Sequence, residues 1–322
     1  MSPAPPKERL RALPRAQLLG APTPVERLER LEAAIKSRYP IFIKRDDAIP
    51  FGFGGNKVRK LELVMAEALR LGATAVITCG GVQSNHCRAT AAAAVRLGLR
   101  CHAVLSGDRP GNLSGNTRLD ELFGATLHFV PARLDRSPRM SELAAELEKK
   151  GEKPFVVPLG ASTPLGAVGL ALGFLELVDQ GHRPDVLLHA SSSGGTQGGL
   201  LAGVALAGLD VRVIGISADE PQASLAAAVE ALEQGVLDLA GAEVRPRAAE
   251  VWDRFVGEGY GIPTEASKEA QRLMARTEAI VVDHTYTAKA LAGLIALVRE
   301  ESLPAGSSIL FWHTGGQVGV LA

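Results

Sequence analysis

Residues 74–79 read Thr74-Ala75-Val76-Ile77-Thr78-Cys79, and they run straight into Gly80-Gly81-Val82-Gln83-Ser84-Asn85-His86. The first six form an apolar, β-branched run without alternation, the pattern of a strand buried on both faces. The glycine pair ends it in a loop over 80–84. An Ala-rich helix then runs to about Leu97 and is stopped by Gly98. Strand, glycine loop and helix make one unit of a parallel sheet, with the loop at the carboxyl end of the strand.

The unit recurs in both directions. Upstream, 41–45 (IFIKR) reads as a strand, and 57–71 has helical spacing through Leu61, Val64, Met65, Ala68 and Leu69. Downstream, strands at 101–105, 126–130 and 154–157 alternate with helices near 117–123 and 139–149. A second run follows a helix over 165–179. Strands at 185–190, 211–217 and 308–312 are separated by a Gly/Ser loop with its helix and by helices over 222–235, 265–275 and 288–299. This is an α/β chain of parallel sheets flanked by helices and joined by right-handed crossovers. The expected division is a small α/β domain at 59–164, inserted into a larger domain formed by 1–58 and 165–322.

Composition narrows the function. The chain has 322 residues, 46% of them hydrophobic and 22% charged, with 35 basic and 35 acidic side chains and no net formal charge. Nothing there supports nucleic-acid or anionic-membrane binding, which leave a basic footprint. No apolar run reaches the ~18 residues of a membrane span. The Pro-rich, charged stretch Met1 to Pro14 has no apolar core of a secretory signal, so the expected location is the cytoplasm. Cys79, Cys87 and Cys101 lack metal-ligand spacing and read as buried thiols in a reducing compartment; no metal is expected.

Four segments carry chemistry. Gly54-Gly55-Asn56-Lys57-Val58-Arg59-Lys60 puts a lysine at a helix start, where a cation opposes the helix dipole. Such a lysine either pairs with an anion or serves as a Schiff-base amine; the plain alternative is a glycine turn followed by a solvated lysine. Ser84 and Asn85 are good N-cap residues, or else their loop holds a carboxylate on free N–H groups. His86 reads alone as a structural histidine. Ser191-Ser192-Ser193-Gly194-Gly195-Thr196-Gln197-Gly198-Gly199 is a loop suited to a phosphate. Its rival is a dinucleotide fingerprint, broken because Thr196 replaces the middle glycine, although Asp219 follows about 20 residues on where a ribose carboxylate would stand. Asp283-His284-Thr285-Tyr286-Thr287 and Trp312-His313-Thr314-Gly315-Gly316 each follow an apolar run, and Gly259-Tyr260-Gly261 is a further turn.

In this order, the segments resemble the 1-aminocyclopropane-1-carboxylate deaminase / D-cysteine desulfhydrase family of pyridoxal-phosphate enzymes. The likeness runs from Pro22-Thr23-Pro24 to His313-Thr314-Gly315-Gly316, and its most specific pieces are Ile43-Lys44-Arg45-Asp46-Asp47, Phe53 to Lys60 and Gly80 to His86. It implies a two-domain tryptophan-synthase-β-like fold with the site between the domains, a pyridoxal 5'-phosphate cofactor, a small amino-acid substrate and a homodimer. Lys57 matches the lysine that carries the cofactor. Ser84, Asn85 and His86 match the loop facing the substrate carboxylate and the cofactor ring. Gly194, Gly195 and Thr196 match the phosphate loop. Tyr286 matches a tyrosine beside the cofactor, Tyr260 a second near the substrate, and Thr314 a hydroxyl near the pyridine nitrogen.

The resemblance also separates two activities. The deaminases resemble one another in carrying Glu after the tyrosine matched by Tyr286, and in lacking the hydroxyl matched by Thr314; here the residues are Thr287 and Thr314. A carboxylate near the pyridine nitrogen would keep it protonated and strengthen the electron sink, whereas a threonine offers only a neutral hydrogen bond. The weaker sink suffices when a good leaving group departs from Cβ. The expected reaction is therefore β-elimination from D-cysteine to pyruvate, ammonia and hydrogen sulfide, with Lys57 as the base and Ser84 and Tyr286 beside the reacting centre. β-Chloro-D-alanine and cysteate are further candidate substrates. The alternatives are the cyclopropane-opening deaminase, a nucleotide-dependent oxidoreductase and a non-catalytic cofactor-binding protein.

Overall fold

The computed structural model describes residues 4–322; Met1 to Pro3 of the Pro-rich N-terminal stretch lie outside the described residues. Ten strands form two sheets: β1 (Val25–Arg27), β2 (Ile41–Arg45), β3 (Ala75–Gly81), β4 (Arg100–Ser106), β5 (Thr126–Val130), β6 (Pro154–Val156), β7 (Val186–Ser191), β8 (Arg212–Ser217), β9 (Glu250–Trp252) and β10 (Ile309–His313). The larger sheet has the order β1-β2-β10-β7-β8-β9, and the smaller β5-β4-β3-β6. β1 pairs antiparallel with β2, and every other pairing is parallel. The expected α/β class with parallel sheets flanked by helices is what the chain adopts.

The central strands explain themselves. All six residues of β7 and all five of β10 are buried, as strands covered by helices on both faces must be. Trp312 is fully buried among Leu310, Leu187 and Phe174. The structure differs from the sequence reading in several places, the first of them at the site. Gly80 and Gly81 are the last residues of β3, paired with Leu105 and Ser106, rather than the start of a loop. The strands β1 and β9 and the helices Pro6–Arg11 and Glu29–Ile35 were not readable from periodicity, and the helix read at 222–235 continues to Ala240.

Close helix approach comes from glycine. A Cβ on Gly169 would stand 2.1 Å from the Arg59 carbonyl oxygen, and one on Gly199 would stand 2.2 Å from that of Ala167. The helices Lys57–Arg70, Pro164–Asp179 and Gly195–Ala207 therefore lie backbone against backbone. The helix Pro164–Asp179 thereby lies between the helix that begins at Lys57 and the helix that begins at the Gly/Ser loop, each packed against it.

Candidate active site

The carboxyl ends of β3, β4, β7 and β10 converge on a cavity of about 370 Å³, within the size range of small-molecule sites. Lys57, Ser84, Asn85, His86, Gly194, Thr196, Tyr260, Tyr286 and Thr314 all line it, and Gly195 follows Gly194 as the first residue of its helix. The site residues named from sequence are thus gathered in one place.

Lys57 opens the helix Lys57–Arg70. Its loop is held from several directions. Gly55 donates to the Asp46 carbonyl at 2.8 Å, Asn56 to the Thr314 carbonyl at 3.1 Å, and the Asn56 side-chain amide to the Thr196 hydroxyl at 2.9 Å. The buried Arg88 guanidinium donates to the carbonyls of Gly52 and Gly54. Gly54 has φ +73°, and a Cβ there would lie 2.5 Å from the Asp47 carbonyl oxygen, so the loop needs glycine. The Lys57 ammonium has one polar neighbour, Asn56 Oδ1 at 3.3 Å. Burial, and then the charge of Arg88, lower its pKa to about 8.

Ser84 caps the helix Asn85–Arg96, its Oγ accepting from the Cys87 N–H at 3.2 Å. The capping role and a place on the cavity wall are therefore held by one residue. Gly80 makes room for it: a Cβ at Gly80 would stand 2.3 Å from Ser84 Oγ. Asn85 Oδ1 accepts from Asn116 Nδ2 at 3.0 Å, and Asn116 also takes an Arg88 N–H at 3.0 Å. The Lys57 loop and the Ser84 loop are thereby tied through Arg88 and Asn116. His86 is buried, with Nε2 2.7 Å from the Thr78 hydroxyl and Nδ1 unpartnered; burial first, and then Lys57 and Lys60, push its pKa well down, so the ring stays neutral.

Opposite lies the phosphate-type loop. Gly194 has φ +78° and opens the helix Gly195–Ala207, whose N-terminus faces the cavity. Sequence reasoning passed over Lys60 as a site residue. It is fully buried one helical turn after Lys57, with Nζ at 3.2 Å from Ser162 Oγ and 3.3 Å from the Gly160 carbonyl. A Cβ on Gly195 would come within 2.8 Å of that Nζ. Asn56, Ser162 and Ser193 were missed as well; Ser162 and Ser193 share a hydrogen bond of 2.7 Å.

Tyr260 and Tyr286 meet edge-to-face with their oxygens 2.6 Å apart. Asp219 lines the cavity but is engaged by Arg133 at 2.8 Å and by Ser192 Oγ at 2.8 Å. It is not a free ribose acceptor, which removes the physical basis for the nucleotide reading. Thr287 is buried behind the wall, its hydroxyl 2.7 Å from Asp283 Oδ1. Among the described residues there is no cluster of three or more metal-ligating side chains, and no helix is long and apolar enough to cross a membrane.

The description "pyridoxal-phosphate dependent enzyme" belongs to the family whose sequence profile matches residues 16–315. The chain belongs to this family. It is 39% identical to the D-cysteine desulfhydrase of Salmonella typhi over 98% of each chain, and 39% identical to that of Salmonella newport (strain SL254) with the same coverage. It superposes on the crystal structure of an ACC deaminase homologue with TM-score 0.92 and 34% identity, covering 100% of this chain and 97% of the other. A fungal L-serine ammonia-lyase from Rhizomucor miehei shares the fold, with TM-score 0.70 at 18% identity over 95% of this chain and 96% of that one.

The cavity suits the cofactor of a pyridoxal-phosphate enzyme. Among the described residues neither the Lys57 nor the Lys60 amine has a carboxylate partner, and Lys60 lies against the N-terminus of the helix Gly195–Ala207. Burial and then mutual repulsion with Lys57 push the Lys60 pKa well down. A lysine on the cavity wall, a second amine buried one turn further along its helix and a positive helix end make an arrangement completed by an anion such as a phosphate. Ser191 Oγ, buried on the same wall, has no partner among the described residues.

Proposed function

We propose that this pyridoxal-phosphate enzyme is a carbon–sulfur lyase that converts D-cysteine to pyruvate, ammonia and hydrogen sulfide. The observation that carries the reading is the cavity's charge inventory. Among the described residues its one lining carboxylate is Asp219, engaged by Arg133, while the position beside Gly315 is the neutral Thr314. The likeness to D-cysteine desulfhydrases supports it.

Lys57 carries the cofactor, and Lys60, Gly194, Gly195, Thr196 and the helix behind them hold its phosphate, with Asn56 orienting Thr196. When bound, the cofactor supplies an electron sink for charge left on Cα. The start of the helix Asn85–Arg96, with Ser84, Asn85 and His86 around it, binds the substrate carboxylate. Freed when the substrate amine takes its place on the cofactor, the Lys57 amine, with its lowered pKa, would take the Cα proton. Tyr286 keeps its proton, because burial and then Tyr260 push its pKa well up, and it donates to the departing sulfur. The aminoacrylate left behind hydrolyses to pyruvate and ammonia.

A second reading, opening of 1-aminocyclopropane-1-carboxylate, is favoured by the match to the ACC deaminase homologue. Measuring sulfide and pyruvate from D-cysteine against 2-oxobutyrate from the cyclopropane substrate separates the two. We further place the enzyme in the cytoplasm as a homodimer without nucleic-acid or membrane partners, and its small domain at 59–164 within 1–58 and 165–322. The balanced charge supports the absence of nucleic-acid and membrane-surface partners, and the grouping of β3 to β6 into their own sheet supports the domain division.

A further inference from the structure

We propose that the Lys289 ammonium is a built-in monovalent cation: it fills a cage of three backbone carbonyls and so positions the loops that carry Asp219 and Tyr260 onto the cavity wall. Lys289 is fully buried in the first turn of the helix Thr287–Glu300. Its Nζ donates to the carbonyl oxygens of Val256 and Gly259 at 2.8 Å each, and of Ala218 at 3.3 Å. All three ammonium protons are thereby used. Among the described residues no carboxylate touches it; Asp219 and Asp283 act through space, against the larger effect of burial.

Nothing ordinary accounts for a cation here. A positive charge in the first turn of a helix opposes the helix dipole, and stripping an ammonium of water costs several kcal/mol. Convergent carbonyl dipoles offset both, the same chemistry by which proteins hold a dehydrated potassium ion. An ammonium group and a potassium ion are close in size. The three carbonyls are also not scattered: Ala218 precedes Asp219, Gly259 precedes Tyr260, and the helix that bears Lys289 starts directly after Tyr286. One charge thus joins the three segments that supply one side of the cavity.

Lys289 acts through those segments and touches neither substrate nor cofactor in this assignment, which rests on the cavity being the catalytic site. The test compares wild type, Lys289→Ala and Lys289→Met in potassium, ammonium, lithium and tetramethylammonium chloride at one ionic strength. Wild type is expected to be indifferent to the cation. Lys289→Ala is expected to lose about tenfold or more in kcat/KM in tetramethylammonium, as loss of charged hydrogen bonds implies, and to recover saturably in potassium or ammonium. The unfolding temperature of the cofactor-free Lys289→Ala protein is expected to rise with the same two ions. Lys289→Met, whose side chain fills the space, should be impaired and not rescued. Cation dependence in wild type, or an alanine variant unimpaired or unrescued in both readouts, would overturn the proposal. Should the alanine variant not fold, refolding yield in potassium against tetramethylammonium decides: recovery in potassium alone supports the cage, and equal failure refutes it. The unfolding readout uses no substrate, so failure of the D-cysteine reading is scored separately.

Discussion

The phenol oxygens of Tyr260 and Tyr286 lie 2.6 Å apart, bridging the segment before Gly261 and the helix start at Thr287. The pair keeps a proton at the cavity, since burial and the neighbouring phenol push Tyr286 well above the ordinary tyrosine pKa. Tyr286→Phe should retain the cofactor's visible band and lower kcat by about 10²-fold, the usual scale for a lost general acid. Tyr260→Phe, which leaves the Tyr286 hydroxyl in place, should cost less. Steady-state pyruvate formation with absorbance spectra of both variants checks this; equal losses would assign the proton elsewhere.

Lys57→Met should lose the visible band and turnover, and peptide mapping of the borohydride-reduced wild type should find the cofactor on Lys57, not on Lys60 or Lys44. The cofactor-free proteins give a second readout. The folded-state pKa of Lys57 is about 8, below its ordinary 10.5. Between those values the unfolded chain binds more protons, so stability rises with pH across that window. Below pH 8 the Lys57→Met apoprotein should therefore be the more stable of the two. The gap should close as the pH rises from 8 toward 10.5, as followed by thermal unfolding.

Ser84 and Thr196 should separate. Ser84→Ala removes a cap worth about 1 kcal/mol of stability, so its kinetics belong well below the unfolding temperature; there turnover should fall far more than cofactor affinity. Thr196→Ala should weaken cofactor retention by about 1–3 kcal/mol. Cofactor titrations of the two apoproteins decide, and the reverse ranking would mean the two anion sites are interchanged.

Much of this site was legible in the sequence because its loops follow long buried strands. β3, β7 and β10 announce themselves as apolar runs, and each delivers its glycine-rich or polar loop to one end. What stayed hidden depends on distance in space. Lys60 looks like one more lysine of a helix until the chain returns at Gly160 and Ser162, about a hundred residues later, and at Gly195. β1 and β9 are three-residue edge strands with polar residues such as Glu26, Arg27 and Glu250, too short for any period. Gly80 and Gly81 read as a loop because glycine is rare in strands; here Ser84 folds back over Gly80 and leaves no room for a side chain.

Arg59 joins Asp46, Glu176 and Thr23 in a buried network, with Lys44 on Glu176 and Trp312 Nε1 on Asp46. Arg59→Met leaves Asp46 without its cation and Glu176 with Lys44 alone, and should cost about 3–5 kcal/mol in denaturant unfolding. Burial works to raise the Glu176 carboxyl, but Arg59 and then Lys44 outweigh it and hold its pKa at about 2, below the ordinary 4.5. That contribution is present above pH 4.5 and lost as the pH falls toward 2. Wild type should show this acid-side decline, and Arg59→Met should flatten it.

In the proposed reaction, substrate choice rests on Thr314, a neutral residue on the cavity wall. Thiolate departure carries charge away from Cα, so a neutral neighbour at the ring suffices, whereas ring opening has no such exit. The expected result is a larger kcat/KM for D-cysteine than for the cyclopropane amino acid, with little 2-oxobutyrate. Thr287→Glu alone should not reverse it, because Thr287 is turned onto Asp283 rather than onto the cavity. A larger value for the cyclopropane substrate on wild type would move the chain to the second reading.

The Arg59 anchor sits two residues from Lys57, whereas Ser84 hangs from the smaller sheet. The two loops are joined by Arg88 and Asn116, and Arg133 reaches Asp219 on the wall of the same cavity. Arg88 thus acts on Lys57 twice: it ties the loop that carries the amine to the loop of Ser84, and its charge lowers the pKa of that amine. A change at Arg88 is therefore expected to move the spacing of the two loops and the pH dependence of the amine together.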